Sequence, residues 1–233
     1  MLHLSFLLAA ALAAPPEQPN IIVILADDLG QGDVAIMNDD ARIPTPNLDR
    51  LALQGARFTD AHSPSAVCTP TRYGLLTGRY CWRTSMKQGV LWGKAPLLIE
   101  DERPTIASEL KKAGYHTAFV GKWHLGLGST KRDDWSEPFD KGPHTIGFDE
   151  SFGIPSSLDI PPYCWVRNGV ATPPPTVEVS GSAHRRKQGG GFWRKGLASP
   201  GFSFRDVLPD TINEAIQIVE TPRDKPLFLY VAL

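Results

Sequence analysis

The segment Cys68-Thr69-Pro70-Thr71-Arg72 places a thiol and a guanidinium four residues apart in the sequence. Pro70 suits the first turn of a helix, where proline is accepted. Leu75 and Leu76, followed by Gly78, are typical of a short helix that ends at a left-handed residue. We therefore predict that Cys68 lies at a helix N-terminus, where backbone N–H groups and the helix dipole favour negative charge. Arg72, one turn later, is predicted on the same face. Such an arrangement would bind an anion.

Two interpretations of Cys68 remain open at this point. An unpaired cysteine is most often a small buried hydrophobic residue. The alternative is a nucleophile or the precursor of one. A thiolate phosphatase fits poorly, because its cysteine and arginine are spaced further apart than in this segment.

Two adjacent carboxylates follow the first apolar segment. Residues 21–26 form a continuous, largely β-branched run, which predicts a parallel strand buried on both faces. Asp27 and Asp28 come at its carboxyl end, where ligands bind in open α/β sheets. The two carboxylates repel each other unless a positive charge lies between them, and Ca²⁺ and Mg²⁺ take oxygen ligands. The alternative is an aspartate pair that only caps a helix or forms a turn.

A second predicted strand end carries a cation and an imidazole. Residues 116–120 are predicted to form a strand that leads into Gly121-Lys122-Trp123-His124. Lys122 suits contact with an anionic ligand, and His124 suits proton transfer. His124 alone would more often be a structural histidine, but a neighbouring strand end with two carboxylates favours the functional interpretation.

The apolar periodicity predicts an α/β fold with a largely parallel, mixed central sheet and helices on both faces. We expect helices at 45–55, 68–78 and 104–113 and from Pro209 onward, and strands at 21–26, 57–61, 116–120 and 227–233. The segment 171–201 is rich in proline, basic residues and glycine and is predicted to be a long surface loop. Ser157 lies in a second loop, at 153–159, whose hydroxyl groups either contact a substrate or simply form a turn.

Composition and the N-terminus limit the location and the partners of the chain. The net charge is −1 over 233 residues, so we expect neither a nucleic-acid partner nor electrostatic binding to a membrane. Residues 1–14 are predicted to be a signal peptide, because an apolar run too short to span a bilayer precedes the cleavage pattern Ala11-Leu12-Ala13. We expect no membrane span and an exported protein (periplasmic, secreted or lysosomal, depending on its source), with residues 20–233 forming its domain.

Five separated stretches together resemble the sulfatase family, in the order in which the family has them. They are Asp27-Asp28-Leu29-Gly30, residues 45–51, residues 68–79, residues 121–126 and Phe228-Leu229-Tyr230. The match covers essentially everything after the predicted signal peptide, and arylsulfatases look most similar. The resemblance implies an alkaline-phosphatase-like domain and a hydrolase of sulfuric esters that acts on a sulfated small molecule or glycan.

The resemblance also implies a modified residue and a metal. In the family, the matching cysteine is oxidised after synthesis to formylglycine, an aldehyde that hydrates to a geminal diol. Cys68 would thus be the substrate of a formylglycine-generating maturation enzyme. Asp27, Asp28 and the oxygen at position 68 would bind Ca²⁺, with Mg²⁺ as the other candidate.

The remaining site residues follow from the same resemblance. One diol hydroxyl would attack sulfur, and the sulfated diol would then collapse to the aldehyde and release sulfate. Arg72 would hold the diol, His124 would take the proton of the second hydroxyl and Lys122 would bind the sulfate oxygens. Ser157 matches a serine that contacts the sulfate or the formylglycine in some members. With Cys68 modified, Cys81 and Cys164 could form a disulfide, although two buried free thiols are at least as consistent with the sequence.

The family pattern also includes residues that this sequence does not contain. Members have a further substrate-binding histidine, further metal ligands, another lysine and a small antiparallel domain after the strand that corresponds to residues 227–233. We therefore expect the chain to match the N-terminal portion of a sulfatase and, by itself, neither to bind Ca²⁺ normally nor to turn over. Two other functions stay open, a phosphonate or phosphodiester hydrolase of the same superfamily and a non-catalytic, anion-binding fragment.

Overall fold

The computed structural model describes residues 18–183, 185–186 and 189–233, so the predicted signal peptide at 1–14 lies outside the described residues. The helices are α1 (Pro46–Gln54), α2 (Cys68–Thr77), α3 (Ile106–Lys112) and α4 (Val207–Glu220). The strands are β1 (Ile21–Leu25), β2 (His116–Lys122), β3 (Glu150–Ile154), β4 (Val166–Arg167), β5 (Val170–Ala171), β6 (Val177–Val179), β7 (Arg185–Arg186), β8 (Gly189–Gly191), β9 (Gly196–Ala198) and β10 (Leu227–Ala232). Short 3-10 helices lie at Gln31–Asp33, Ala35–Met37, Cys81–Arg83 and Pro143–Thr145.

The central sheet has six strands in the order β1-β10-β2-β3-β4-β5. The first four strands run parallel, whereas β4 and β5 are antiparallel to their neighbours. This arrangement confirms the predicted mixed, largely parallel sheet. Because β10 lies between β1 and β2, the last strand in the sequence joins the two strands that carry the candidate site.

The register of the sheet brings the carboxyl ends of the parallel strands to one edge. Leu25 of β1 pairs with Ala232 of β10, which pairs with Gly121 of β2, which in turn pairs with Gly153 of β3. Residues that follow these positions therefore leave the sheet side by side.

Helices cover both faces of the sheet, as predicted. On one face, α2 and α3 enclose an aromatic core that includes Phe119, Trp123 and Tyr230. On the other face, α4 packs Ala215 and Ile218 against alternate residues of β2 and β10. The alternation places successive side chains of a strand in different cores. It explains why β10 and residues 118–120 of β2 are continuously apolar.

Three sequence-based predictions about the elements were wrong. β1 was expected to be buried on both faces, but Ile22 and Ile24 are 46% and 63% exposed, because α4 packs on β2, β3 and β10 and leaves that face of β1 uncovered among the described residues. Residues 57–61 form no strand, since they pair with no strand of the described sheets. The segment 171–201, expected to be a loop, contains the short strands β6 to β9.

Gly121 allows β2 and β10 to approach closely just before Lys122. It has φ of 107°, and a Cβ at this position would lie 2.0 Å from the carbonyl oxygen of Ala232. Only glycine tolerates both constraints. Gly121 thus permits the close pairing of β2 and β10 at the last position before Lys122, the final residue of β2.

Two further expectations concern the cysteines and the membrane. Cys81 and Cys164 are buried free thiols, so the alternative in which they pair is wrong for this structure. Within the part of the chain that the structure describes, no helix has the length and apolar character needed to cross a bilayer.

Candidate active site

Cys68 is the first residue of α2, as the motif predicts. The segment before it is held by the Thr71 hydroxyl, which donates to the carbonyl oxygen of Ser65 across 2.8 Å. The helix ends at Gly78, which has φ of 64° and is left-handed as expected. Because the first N–H groups of a helix lack intrahelical partners, the surroundings of Cys68 favour an anion.

Lys122 joins the cysteine segment to the first carboxylate. Its Nζ lies 3.3 Å from Cys68 Sγ and also donates a hydrogen bond to Asp27 Oδ2. Lys122 is 8% exposed. A buried ammonium this close to sulfur is suited to bind negative charge that develops at position 68.

Arg72 is buried, with 1% of its surface exposed. Its Nη1 donates to the backbone oxygen of Lys122 across 2.8 Å, and its Nη2 lies 3.4 Å from Asp27 Oδ2. Burial alone would raise the pKa of Asp27, but the hydrogen bond and charge of Lys122 and the charge of Arg72 hold it below its ordinary value. Asp27 is therefore an anion held between two cations.

His124 is buried, with one ring nitrogen anchored and the other without a partner. Nε2 lies 2.9 Å from the carbonyl oxygen of Leu91, so it carries the proton in the neutral ring. Nδ1 is buried with no hydrogen-bond partner among the described residues. Burial, together with the charges of Lys122 and Arg72, lowers the pKa of His124 to about 4. At neutral pH, Nδ1 is thus an available proton acceptor.

Two positions at the site have a strained backbone. Asp28 has φ of 60° and His124 has φ of 53°, in the left-handed region that side-chain-bearing residues rarely occupy. Strained backbone of this kind concentrates at functional sites. The glycine-rich surroundings of both residues gave no direct sign of it in the sequence.

Sequence reasoning missed two residues that connect the site. The Thr69 hydroxyl donates to the carbonyl oxygen of His124 across 2.9 Å and accepts a hydrogen bond from the Leu91 N–H at 3.1 Å. Because Thr69 lies next to Cys68 in the motif, a role for its hydroxyl could have been predicted from the sequence. Leu91 acts through its backbone, for which a side-chain pattern gives no signal.

The predicted site residues other than His124 border two neighbouring cavities, whereas the buried His124 lines neither of them. The first, of about 380 Å³, is lined by residues that include Asp27, Asp28, Cys68 and Arg72. The second, of about 470 Å³, has Asp27, Lys122 and Ser157 in its wall. Asp27 is common to both cavities. The structure thus gathers Asp27, Asp28, Cys68, Arg72 and Lys122 around one spot, with Ser157 across the second cavity.

The donor set suits a hard cation only in part. Asp27 and Asp28 supply carboxylate oxygens, the ligands that Ca²⁺ prefers, on the cavity that also contains Cys68. The buried Nδ1 of His124 and Nε of Arg72 have no partner among the described residues, which fits a site built to receive a further polar group. Within the described residues there is no cluster of three or more His, Cys, Asp or Glu side chains placed to hold a metal.

The mixed sheet, its two layers of helices and the position of this site place the protein in the alkaline-phosphatase-like class of α/β folds. The model of the Sulfatase family matches residues 19–233. The chain belongs to the sulfatase family.

Curated relatives agree with this assignment. The chain is 36% identical over 244 residues to an N-acetylgalactosamine-6-O-sulfatase of Bacteroides thetaiotaomicron, a match that covers 92% of this chain and 47% of the relative. It is also 36% identical over 236 residues to human arylsulfatase A, covering 97% of this chain and 42% of the relative. The chain therefore spans about half the length of the curated relatives it matches.

Solved structures share the fold. A Bacteroides thetaiotaomicron protein, solved in work on the metabolism of multiple glycosaminoglycans, superimposes with a TM-score of 0.79 at 32% identity, covering 93% of this chain and 51% of that protein. A sulfatase from Pseudoalteromonas sp. superimposes with a TM-score of 0.64 at 25% identity, covering 93% of this chain and 44% of that one. These superpositions confirm the predicted fold class.

Proposed function

We propose that the protein hydrolyses sulfate monoesters at the site around residue 68. The observation that carries the proposal is the 3.3 Å contact between Cys68 Sγ and Lys122 Nζ at the N-terminus of α2. A sulfate group at this spot would meet the Lys122 ammonium, the Arg72 guanidinium and the helix N–H groups. Such preorganised positive charge stabilises the negative charge that develops in the transition state.

We further propose that Cys68 is the precursor of formylglycine, produced by a maturation enzyme. The hydrated aldehyde would supply one hydroxyl as nucleophile and a second through which sulfate is released. Arg72, fixed by the Lys122 carbonyl, orients residue 68 and balances its charge. His124 Nδ1, unpartnered and unprotonated at neutral pH, accepts a hydroxyl proton there.

Asp27 and Asp28 are the residues that would hold Ca²⁺, or Mg²⁺, beside position 68. The cation would polarise the sulfate as a Lewis acid. Asp27 suits this role because Lys122 and Arg72 keep its carboxylate ionised. Ser157 is proposed to donate a hydrogen bond to substrate from the wall of the second cavity.

We propose a sulfated glycan or small molecule as substrate and an exported location for the protein. One curated relative is named as an N-acetylgalactosamine-6-O-sulfatase. A structure 25% identical to this chain, with a TM-score of 0.62, was solved in complex with neocarrahexaose. Both names favour a carbohydrate ester, and the match to human arylsulfatase A keeps a sulfated small molecule as the other candidate.

The test is hydrolysis by the protein as encoded, including any residues that follow Leu233, produced in a host that has a formylglycine-generating enzyme. We expect it to hydrolyse an aryl sulfate faster than an aryl phosphodiester. Lys122→Ala and His124→Asn should each lower kcat/KM by about 10² to 10⁴. The exposed Lys112, which pairs with Glu109 on α3, supplies the control Lys112→Ala, which should not change the rate. Faster hydrolysis of the diester would point instead to a phosphodiesterase.

A further inference from the structure

Three side chains from distant segments meet beside the candidate active site. Arg194 Nη1 donates to Asp159 Oδ2 across 2.8 Å and to the backbone oxygen of Asp159 across 2.6 Å. The same guanidinium lies over the ring of Trp92, with 5.4 Å between its carbon and the ring centroid. Trp92 is 63% exposed and the Arg194 side chain 52% exposed, so both residues face solvent while remaining in contact.

The backbone beneath this cluster is held in place. The buried Tyr163 hydroxyl accepts a hydrogen bond from the Arg194 N–H at 3.0 Å and donates to the Arg194 carbonyl oxygen at 2.9 Å. Pro161, two residues after Asp159, packs between the Trp92 segment and the Arg194 segment. A Cβ on Gly93 would lie 2.1 Å from the Pro161 oxygen, and a Cβ on Gly196 would lie 2.3 Å from the Pro161 Cβ. Side chains presented from such a packed base are preorganised, which lowers the entropic cost of binding.

The cluster is linked directly to the residues of the candidate active site. Trp92 follows Leu91, whose carbonyl oxygen anchors His124 and whose N–H donates to Thr69, the neighbour of Cys68. Asp159 lies two residues after Ser157, and its charge acts on His124. Trp92 and Asp159 thus each lie within two residues of a group that belongs to the candidate active site, Leu91 in one case and Ser157 in the other.

The chemistry of the three groups matches a charged sugar ring. An exposed indole offers a flat apolar surface for the C–H face of a sugar, and a guanidinium pairs with a carboxylate or sulfate through charge-assisted hydrogen bonds. The Asp159 carboxylate fixes the guanidinium and can accept hydrogen bonds from sugar hydroxyls.

We propose that Trp92, Arg194 and Asp159 form a subsite for a sugar ring that bears a second anionic group, next to the sulfate ester to be cleaved. The proposal rests on the proposed function for the position of that ester. It deepens that function by assigning the substrate to glycans with a carboxylate or a further sulfate beside the scissile one.

The test measures binding by calorimetry to the encoded protein carrying Cys68→Ala, which prevents turnover. Three sulfated disaccharides are compared: one with an added carboxylate, one with an added sulfate and one with no further charge. Trp92→Ala should weaken binding of all three by about tenfold, and Trp92→Phe should restore most of it. Arg194→Ala should weaken the two doubly charged ligands by about tenfold and the third by less than about twofold.

The structure offers a matched control pair. Arg83 lies over Trp82, 6.0 Å from its ring centroid, and Trp82 is 58% exposed. Among the described residues, neither side chain forms a hydrogen bond or ion pair with the 159–162 segment or with His124. Trp82→Ala and Arg83→Ala should change affinity by less than about twofold. The charged ligand that loses more affinity on Arg194→Ala identifies the preferred anionic group.

Two results would overturn the subsite: equal binding by the parent, Trp92→Ala and Arg194→Ala proteins, or no binding of the disaccharides to the parent. Hydrolysis of a small aryl sulfate is measured in parallel for the Cys68-containing parent and for its Trp82→Ala and Arg83→Ala controls, which should leave the rate unchanged. If the parent does not hydrolyse the aryl sulfate, the proposed function is contradicted. The binding measurements would then still decide whether the subsite exists.

Discussion

Arg72 Nη1 donates a hydrogen bond to the backbone carbonyl oxygen of Lys122 across 2.8 Å. Arg72 belongs to α2 and Lys122 ends β2, so this bond joins the cysteine-bearing helix to the strand that carries the candidate lysine and histidine. The same guanidinium reaches Asp27 after β1. One buried side chain thus sets the relative positions of three elements, in addition to its proposed role toward the substrate.

Replacing Arg72 should therefore reduce stability as well as activity. Arg72→Ala removes both contacts and leaves the Lys122 carbonyl and part of the Asp27 charge uncompensated, which we expect to cost about 3 kcal/mol of unfolding free energy. Urea denaturation measures this change. The exposed Arg42 provides the control Arg42→Ala, expected within about 0.5 kcal/mol of the parent. An Arg72→Ala protein as stable as that control would show that the bond does not hold the elements together.

Two glycines with positive φ should respond differently to substitution. Gly121 would place a Cβ 2.0 Å from Ala232 O, whereas a Cβ on Gly78 meets nothing within 4 Å. Gly78→Ala should cost about 1 kcal/mol, from left-handed backbone strain alone. Gly121→Ala adds a clash with backbone and should cost more than about 3 kcal/mol or prevent folding. Thermal unfolding of the two variants compares them directly, and equal melting temperatures would refute the close approach of β2 and β10.

The buried His124 predicts a specific pH dependence of stability. Its pKa falls from 6.5 in the unfolded chain to about 4 in the folded protein, so the unfolded state binds the proton first on acidification. Stability should therefore be lost between about pH 6.5 and pH 4, by up to roughly 3 kcal/mol. Asp27, whose pKa is lowered, contributes stability that is lost only below its ordinary value of 3.8.

Urea denaturation across this pH range tests the assignment. The parent should be destabilised by acid more steeply than His124→Gln, which has no such proton. His62→Gln serves as the control, because the His62 side chain is 82% exposed. If His124→Gln and the parent show the same slope between pH 6.5 and pH 4, the histidine is not buried in its neutral form.

The cysteines should differ in reactivity toward a thiol reagent. Cys164 is fully buried and Cys81 nearly so, and burial raises the pKa of both thiols. In the native protein, neither should react before the chain unfolds, because the thiolate is the reactive form. Unconverted Cys68, which is partly exposed, should react first. Peptide mapping after labelling identifies the sites, and native labelling of Cys164 would contradict the packing described above.

The fold could be predicted from sequence wherever local signals agree. Pro46 at the first position of α1 and Gly78 after α2 each mark a helix boundary. The sequence patterns identified three of the four parallel strands, β1, β2 and β10, but not β3. What failed depended on neighbours: one face of β1 is exposed because α4 packs on β2, β3 and β10, which the composition of β1 does not encode.

The candidate site was predictable in its side chains but not in its connections. Asp27, Cys68, Arg72, Lys122 and His124 all stood out by residue type and position. The sheet register aligns the ends of the strands that precede Asp27 and carry Lys122, and α2 adds Cys68 and Arg72 through their contacts with Lys122. The role of Leu91 depends on a backbone carbonyl, and the approach of Trp92 to Arg194 joins residues about one hundred positions apart. Such contacts arise from tertiary packing, so no local sequence pattern predicts them.

The most direct test of the central claim is the mass of the peptide that contains residue 68. The protein is produced in a host with a formylglycine-generating enzyme, digested and analysed by mass spectrometry, with a host lacking that enzyme as control. We predict the loss of mass that accompanies replacement of the Cys68 thiol by an aldehyde, in the first host only. An unmodified Cys68 thiol from both hosts would contradict the proposed chemistry.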